Sequence, residues 1–296
     1  MKPPAETAAP SPRRKARWWH VRPRVLLGPV VAYLIVLAAM MVFEEALIFH
    51  PLRYPAGEWR PVGLVFEDAE FAAEDGTRLH GWFVPHENPR AVVLFAPGNA
   101  GNITYRTDRL RRFQRAMGVA VLIFDYRGYG RSEGRPTERG VLADARAARR
   151  WLAERTGVAE TDVVLLGESL GGGVMVDLAA RDGARALILE NTFTSLPDVA
   201  AWHYPVFPVR LLMRSRLSSL DKIAAYRGPL LQCHGDADAI VPCALGERLF
   251  AAANQPKRFV TLPGHDHNDP LPLAWHEAMN EFLNELPPLG HLREGD

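Results

Sequence analysis

Val163-Val164-Leu165-Leu166-Gly167-Glu168-Ser169-Leu170-Gly171-Gly172-Gly173-Val174 is the stretch that decides how this chain folds. An apolar run ends in G-x-S-x-G, and a helix-compatible run from Val174 to Ala180 follows, so a strand, a sharp turn and a helix are expected in succession. In that setting the serine holds a strained backbone that throws its hydroxyl clear of the sheet. Its close neighbours must then be nearly free of side chain, which Gly167 and Gly171 satisfy. The helix that opens with the glycine run aims unpaired amide hydrogens at any negative charge developing beside Ser169, and Leu170 supplies one of them. The same residues also read as a plain glycine-rich turn; the strand before and the helix after favour a nucleophile.

Working outward, short apolar runs alternate with helical spacing. Ala91 to Ala96, Val119 to Phe124, Val163 to Leu166, Ala186 to Leu189, Pro229 to Cys233 and Arg258 to Leu262 read as strands. Thr104 to Met117, Glu138 to Glu154, Val174 to Arg181, Ala244 to Ala253 and Leu273 to Leu286 read as helices. Continuous apolar strands alternating with helices predict a mostly parallel sheet covered on both faces, with ligands at the carboxyl ends of the strands. Ahead of this, Phe66 to Ala72 and Arg78 to Pro85 flank Asp75-Gly76 and predict a hairpin. Between Thr192 and Ile223 prolines interrupt an apolar and aromatic strip. That strip reads either as a cap whose Trp202 and Tyr204 line a pocket for an acyl chain, or as a packed connection with no ligand role.

The first 24 residues are rich in Pro, Ala and Arg, carry one acid, Glu6, and predict a disordered basic arm. Residues 25–43 are uncharged and mostly apolar, long enough to cross a bilayer as a helix. A buried core helix would show a polar face, and a signal peptide would end in a small-residue cleavage site; neither is present, so an uncleaved anchor is expected. The basic arm then lies on the cytoplasmic side, and residues 44–296 form a domain on the outer, periplasmic side. The last ten residues read as a loose tail.

The 296 residues suit one large α/β domain, and a net charge of +1 gives no argument for a nucleic-acid partner. Cys233 and Cys243 are the only cysteines, too few for a disulfide framework; whether they pair is left open by the sequence.

A serine hydroxyl needs a base to take its proton and an acid to orient that base. Downstream of Ser169, His234-Gly235-Asp236-Ala237-Asp238 ends one strand, and Pro263-Gly264-His265-Asp266-His267-Asn268-Asp269 ends the next. With these, Leu47-Ile48-Phe49-His50-Pro51, Pro97-Gly98-Asn99-Ala100-Gly101-Asn102 and Asp125-Tyr126-Arg127-Gly128-Tyr129-Gly130 resemble the α/β-hydrolase superfamily, in particular its membrane-anchored Bem46-like group. The resemblance covers nearly everything beyond the apolar run. It implies an α/β-hydrolase fold with a small cap insertion over about 192–223 and a serine hydrolase that cleaves esters or thioesters without a cofactor. A small-molecule or lipid-like ester or thioester, or an acylated protein, is the substrate expected from the apolar strip and the expected membrane tether.

Carried over by position, the resemblance makes Ser169 the nucleophile, Asp238 the orienting acid and His267 the base. It assigns the oxyanion hole to the backbone amides of Leu170 and Asn99. Asp236 and His265 are the near alternatives, set aside by the H-G-x-x-D pattern and by the Asn-Asp that follows His267. Pro97 stands where the family usually has histidine, which puts the shape of the Asn99 loop in question. Two competing readings stay open: a zinc-dependent hydrolase, since His265 to Asp269 also fits H-x-H-x-D, and a non-catalytic binding protein on the same fold.

Overall fold

The computed structural model describes residues 23–289, with side chains described from residue 27. Residues 1–22 of the expected basic arm and most of the expected tail lie outside them. The chain divides into two units, one ending at Val42 and one beginning at Phe43.

The first unit is helix α1 (Pro23–Val42). It bears exposed apolar side chains, among them Leu27, Leu34 and Ile35. Among the described residues, no helix is long and apolar enough to cross a membrane. The anchor expected over 25–43 is therefore not found as a span. A helix does form there, over Pro23–Val42, with Pro29 inside it.

In the second unit the strands are β1 (His50–Pro51), β2 (Glu67–Ala72), β3 (Arg78–Val84), β4 (Ala91–Ala96), β5 (Ala100–Gly101), β6 (Val119–Asp125), β7 (Val164–Glu168), β8 (Ala186–Glu190), β9 (Leu230–Gly235) and β10 (Lys257–Leu262). The helices are α2 (Glu44–Ile48), α3 (Thr107–Arg112), α4 (Glu138–Thr156), α5 (Leu170–Asp182), α6 (Leu196–His203), α7 (Val209–Leu212), α8 (Ser219–Lys222), α9 (Cys243–Ala252) and α10 (Leu273–Glu285). Eight strands form one sheet in the order β10-β9-β8-β7-β4-β6-β3-β2. Only the β2–β3 and β3–β6 pairings are antiparallel; the rest are parallel.

The sheet is apolar on both faces because successive strand residues point opposite ways. Val92, Leu94 and Ala96 of β4 pack into the core that includes Val141 of α4, Val174 of α5 and Leu249 of α9. Val93 and Phe95 pack into the other, with Leu110 of α3 and Trp275 of α10. The edges are charged: Glu67, Asp68 and Glu70 on β2, Lys257 and Arg258 on β10, which discourages pairing with a further strand.

Element boundaries moved where tertiary contacts outweigh propensity. The helix expected over Thr104–Met117 is broken into a 3₁₀ turn, α3 and a wide turn over Phe113–Met117. Helix α5 begins at Leu170, with the glycine run in its first turn despite three weak helix formers. Gly171 is needed there: a Cβ on it would lie 2.1 Å from the Ala96 carbonyl oxygen. The strip over 192–223 folds into α6, α7 and α8. Glu44 of α2 reaches across to it, its carboxylate accepting from the backbone N–H of Arg214 (3.0 Å) and Ser215 (2.6 Å).

At the end of β6, Asp125 is 1% exposed. It accepts from the Ile103 N–H at 3.0 Å through Oδ1, while Oδ2 has no hydrogen-bond partner among the described residues. Burial pushes its carboxyl up to about 8, against opposition from those backbone bonds and from Arg131. The folded chain therefore holds a proton there that the unfolded chain releases near 3.8. The stability this group contributes is complete below that value and is lost as pH rises toward about 8. Asp125→Asn is expected to flatten the fall in urea midpoint between pH 5 and 9; an unchanged slope would mean the carboxyl is ionised in the fold.

Candidate active site

Ser169 sits between β7 and α5 at φ 52° and ψ −115°, a conformation that costs on the order of 1–3 kcal/mol and must be imposed by its surroundings. Its N–H donates to the Glu190 carbonyl (2.8 Å), and its own carbonyl accepts from Gly172 N–H (2.9 Å) and Thr192 Oγ1 (2.8 Å). A Cβ on Gly167 would lie 2.5 Å from the Gly171 carbonyl oxygen. The turn closes only because both positions lack side chains.

Three side chains from three strand ends meet at this turn. His267 Nε2 lies 3.0 Å from Ser169 Oγ, and His267 Nδ1 lies 2.7 Å from Asp238 Oδ2. The other carboxylate oxygen of Asp238 accepts from the N–H groups of Ile240 (2.9 Å) and Val241 (2.7 Å). Burial alone would raise the Asp238 carboxyl, but His234, His267 and Val241 together hold it well below the usual carboxylate range. It stays ionised and fixes the imidazole ring. Asp236 instead braces a turn by accepting from Gly264 N–H (2.6 Å), and His265 Nδ1 lies 3.0 Å from the Pro263 carbonyl.

Asn191, which sequence reasoning passed over, ties the acid loop to the base loop. It accepts from Gly235 N–H (3.1 Å) and donates to the His267 carbonyl (3.2 Å). Its φ of 47°, a value that asparagine tolerates better than most residues, is the local oddity that allows this. No sequence signal at Asn191 itself points to it.

The Asn99 loop passes the serine closely: a Cβ on Gly98 would lie 3.6 Å from Ser169 Cβ. Its carbonyls are pinned from outside. Tyr126 Oη donates to Pro97 (3.0 Å), and Tyr129 Oη (2.7 Å) and His50 N–H (3.0 Å) both donate to Asn99. The Asn99 side chain donates to the Ile48 carbonyl (2.7 Å). With proline at position 97, a hydroxyl from the Asp125–Gly130 loop sets the path of the chain. Leu170, the first residue of α5, has an N–H of the kind that finds no partner inside a helix.

Two cavities flank His267. One, about 510 Å³, is lined by Ser169, Gly98, Asn99, His50, Leu52 and Ile240 among others. The second, about 360 Å³, lies between α3 and the loop after His267 and is lined mainly by charged and polar residues. Trp202 and Tyr204, the residues expected to line a pocket, line neither and are 65% and 48% exposed. Leu196 and Val199 of α6 pack on the core, whereas Trp202, in the last turn of that helix, is exposed and Tyr204 lies beyond the helix end.

Glu168, beside the nucleophile, is paired with Arg106 and Arg109, and Arg109 also pairs with Glu190. Burial would raise Glu168, yet the two guanidinium groups bring it below its ordinary value. Among the described residues no group of three or more His, Cys, Asp or Glu side chains is placed to hold a metal ion. The two ring nitrogens of His267 are already directed at Asp238 and Ser169. Cys233 and Cys243 are both free thiols.

A mostly parallel eight-stranded sheet with a serine at such a turn defines an α/β hydrolase. A family model described as serine aminopeptidase, S33, matches residues 87–222. Protein Rv2307c of Mycobacterium tuberculosis is 40% identical over 272 residues, covering 88% of this chain and 96% of that one. Protein bem46 of Schizosaccharomyces pombe is 33% identical over 278 residues, covering 88% and 92%. The esterase Pf2001 of Pyrococcus furiosus superposes with a TM-score of 0.67 at 18% identity over 81% of this chain and 97% of that one. The chain belongs to the α/β-hydrolase superfamily, in its Bem46-like group.

Proposed function

We propose that this protein is a membrane-attached serine hydrolase that cleaves carboxylic esters or thioesters through an acyl-enzyme. The observation that carries the reading is the hydrogen-bonded series Ser169 Oγ, His267, Asp238 at a strained turn. Ser169 Oγ attacks the carbonyl carbon as His267 Nε2 takes its proton, and Asp238 stabilises the resulting imidazolium. The N–H groups of Leu170 and Asn99 receive the oxyanion. His267 returns the proton to the departing alcohol or thiol, then activates the water that frees the acid and restores Ser169.

Attachment is supported by the apolar run 25–43 behind a basic arm and by the exposed apolar side chains of α1. A crossing by residues 25–43 would put the basic arm on the cytoplasmic side and the hydrolase domain outside.

The test is labelling of the full-length protein in isolated membranes with a fluorophosphonate. One adduct on the peptide containing Ser169 is expected, in material released by detergent but not by high salt. Absence of the adduct would overturn the catalytic assignment, and release by salt the attachment.

A further inference from the structure

The cavity between α3 and the loop after His267 has the composition of a recognition site, and nothing in the reaction just described uses it. Arg106, Arg109 and Arg112 recur every third residue along its wall. Asp108, Glu168, Glu190 and Asp269 face the same space, whereas Pro270 and Leu271 are its only aliphatic lining. Such a wall offers an acyl chain no predominantly apolar surface. It does not select a net charge either, since an anion entering meets four carboxylates and a cation three guanidinium groups. A neutral group rich in hydroxyls, each both donor and acceptor, is what alternating donors and acceptors suit.

Two of the lining side chains, Glu190 (1% exposed) and His276 (8% exposed), each keep a polar atom with no hydrogen-bond partner among the described residues: Glu190 Oε2 and His276 Nδ1. Arg109 Nε is a third. Buried polar atoms are rarely left unpaired. These three, in side chains that line one cavity and each almost without exposed surface as the side chains stand, are groups that a polar occupant would satisfy when they turn toward it. Burial, with Arg112 and Arg109 nearby, holds the His276 imidazole down to about 4, so at neutral pH it is an uncharged ring with one donor and one acceptor nitrogen.

The position of the cavity says which part of the substrate enters it. His267 lines both cavities, but Ser169 and Asn99 line only the other. His267 Nε2 delivers its proton to the leaving oxygen, so the leaving group lies on the imidazole side, away from the oxyanion loop. We infer that this cavity is the leaving-group subsite and that it takes a polyhydroxylated alcohol, the substrate being a polyol or sugar ester. This rests on the serine-hydrolase reading above.

The test compares glycerol 1-butyrate with pentyl butyrate, esters of one acid with alcohols of similar size, by acid release from the full-length protein. Because a site that hydrogen-bonds hydroxyls discriminates against their loss, kcat/KM is expected to favour the glycerol ester by about tenfold or more. The ratio, whatever the absolute rates, is expected to drop at least threefold in His276→Leu, about half the tenfold preference on a logarithmic scale, and also in Arg112→Leu. Arg112 is exposed, so the second variant decides if the first fails to fold. A wild-type ratio near one, or a ratio unchanged in the folded variants, overturns the inference. Failure to hydrolyse either ester, or hydrolysis that survives Ser169→Ala, overturns the serine-hydrolase reading instead.

Discussion

Ser169→Ala is expected to lower kcat for p-nitrophenyl butyrate by about 10⁴-fold or more while the unfolding midpoint stays within a few degrees. The size of the effect follows from geometry: Ser169 Oγ is the hydroxyl that His267 Nε2 meets, at 3.0 Å. Without it the oxyanion donors still polarise a bound carbonyl, which sets the residual rate. Stability is spared because the side chain removed is small, while the backbone hydrogen bonds that impose φ 52° stay in place. Methyl-for-hydroxyl replacement leaves the strained conformation no harder to hold. Turnover retained within tenfold would mean that another group is the nucleophile.

Asp238→Asn is the second large effect, expected to lower kcat by about 10⁴-fold with a small change in KM. The wild-type carboxylate accepts from His267 Nδ1–H at 2.7 Å and leaves Nε2 free to accept the serine proton. An amide whose nitrogen faces Nδ1 donates instead, moving the ring proton to Nε2 and removing the base. The other oxygen holds the Ile240 and Val241 N–H groups, which favours the amide orientation that keeps oxygen there and turns nitrogen toward the histidine. Steady-state kinetics with a urea titration as folding control measures this. An Asp238→Asn enzyme within tenfold of wild type would show that the imidazole needs no acid.

Most of the sheet was legible because its signal is local. A strand buried on both faces reads as an unbroken apolar run, and Ala91–Ala96 was placed to the residue. The three side chains that meet at the turn were legible too, since each follows a strand within a short motif. What was hidden depended on contacts distant in sequence. The pairs of Arg106 and Arg109 with Glu168 and Glu190 join positions 59 to 81 apart, and charged residues at helical spacing look like any solvated face. Trp202 and Tyr204 were misplaced for a related reason: an apolar insertion announces that it packs somewhere, but the side it turns to the core is chosen by the partner it meets. The length of α1 was legible as a run of apolar residues; what surrounds it is no property of the run.

The sequence by itself determined the class of this protein, the succession of strands and helices along the chain and the strained serine turn. Hydrophobic periodicity, and the steric need for glycine at 167 and 171, act over a few residues and survive in one dimension. Only the tertiary structure decided that His267 and not His265 meets the serine, that Asp238 and not Asp236 holds that ring, and that the space beside them is polar. Those choices are made at distances of about 3 Å between strand ends, where a shift of two residues along a loop turns one side chain into the site and its neighbour out to water.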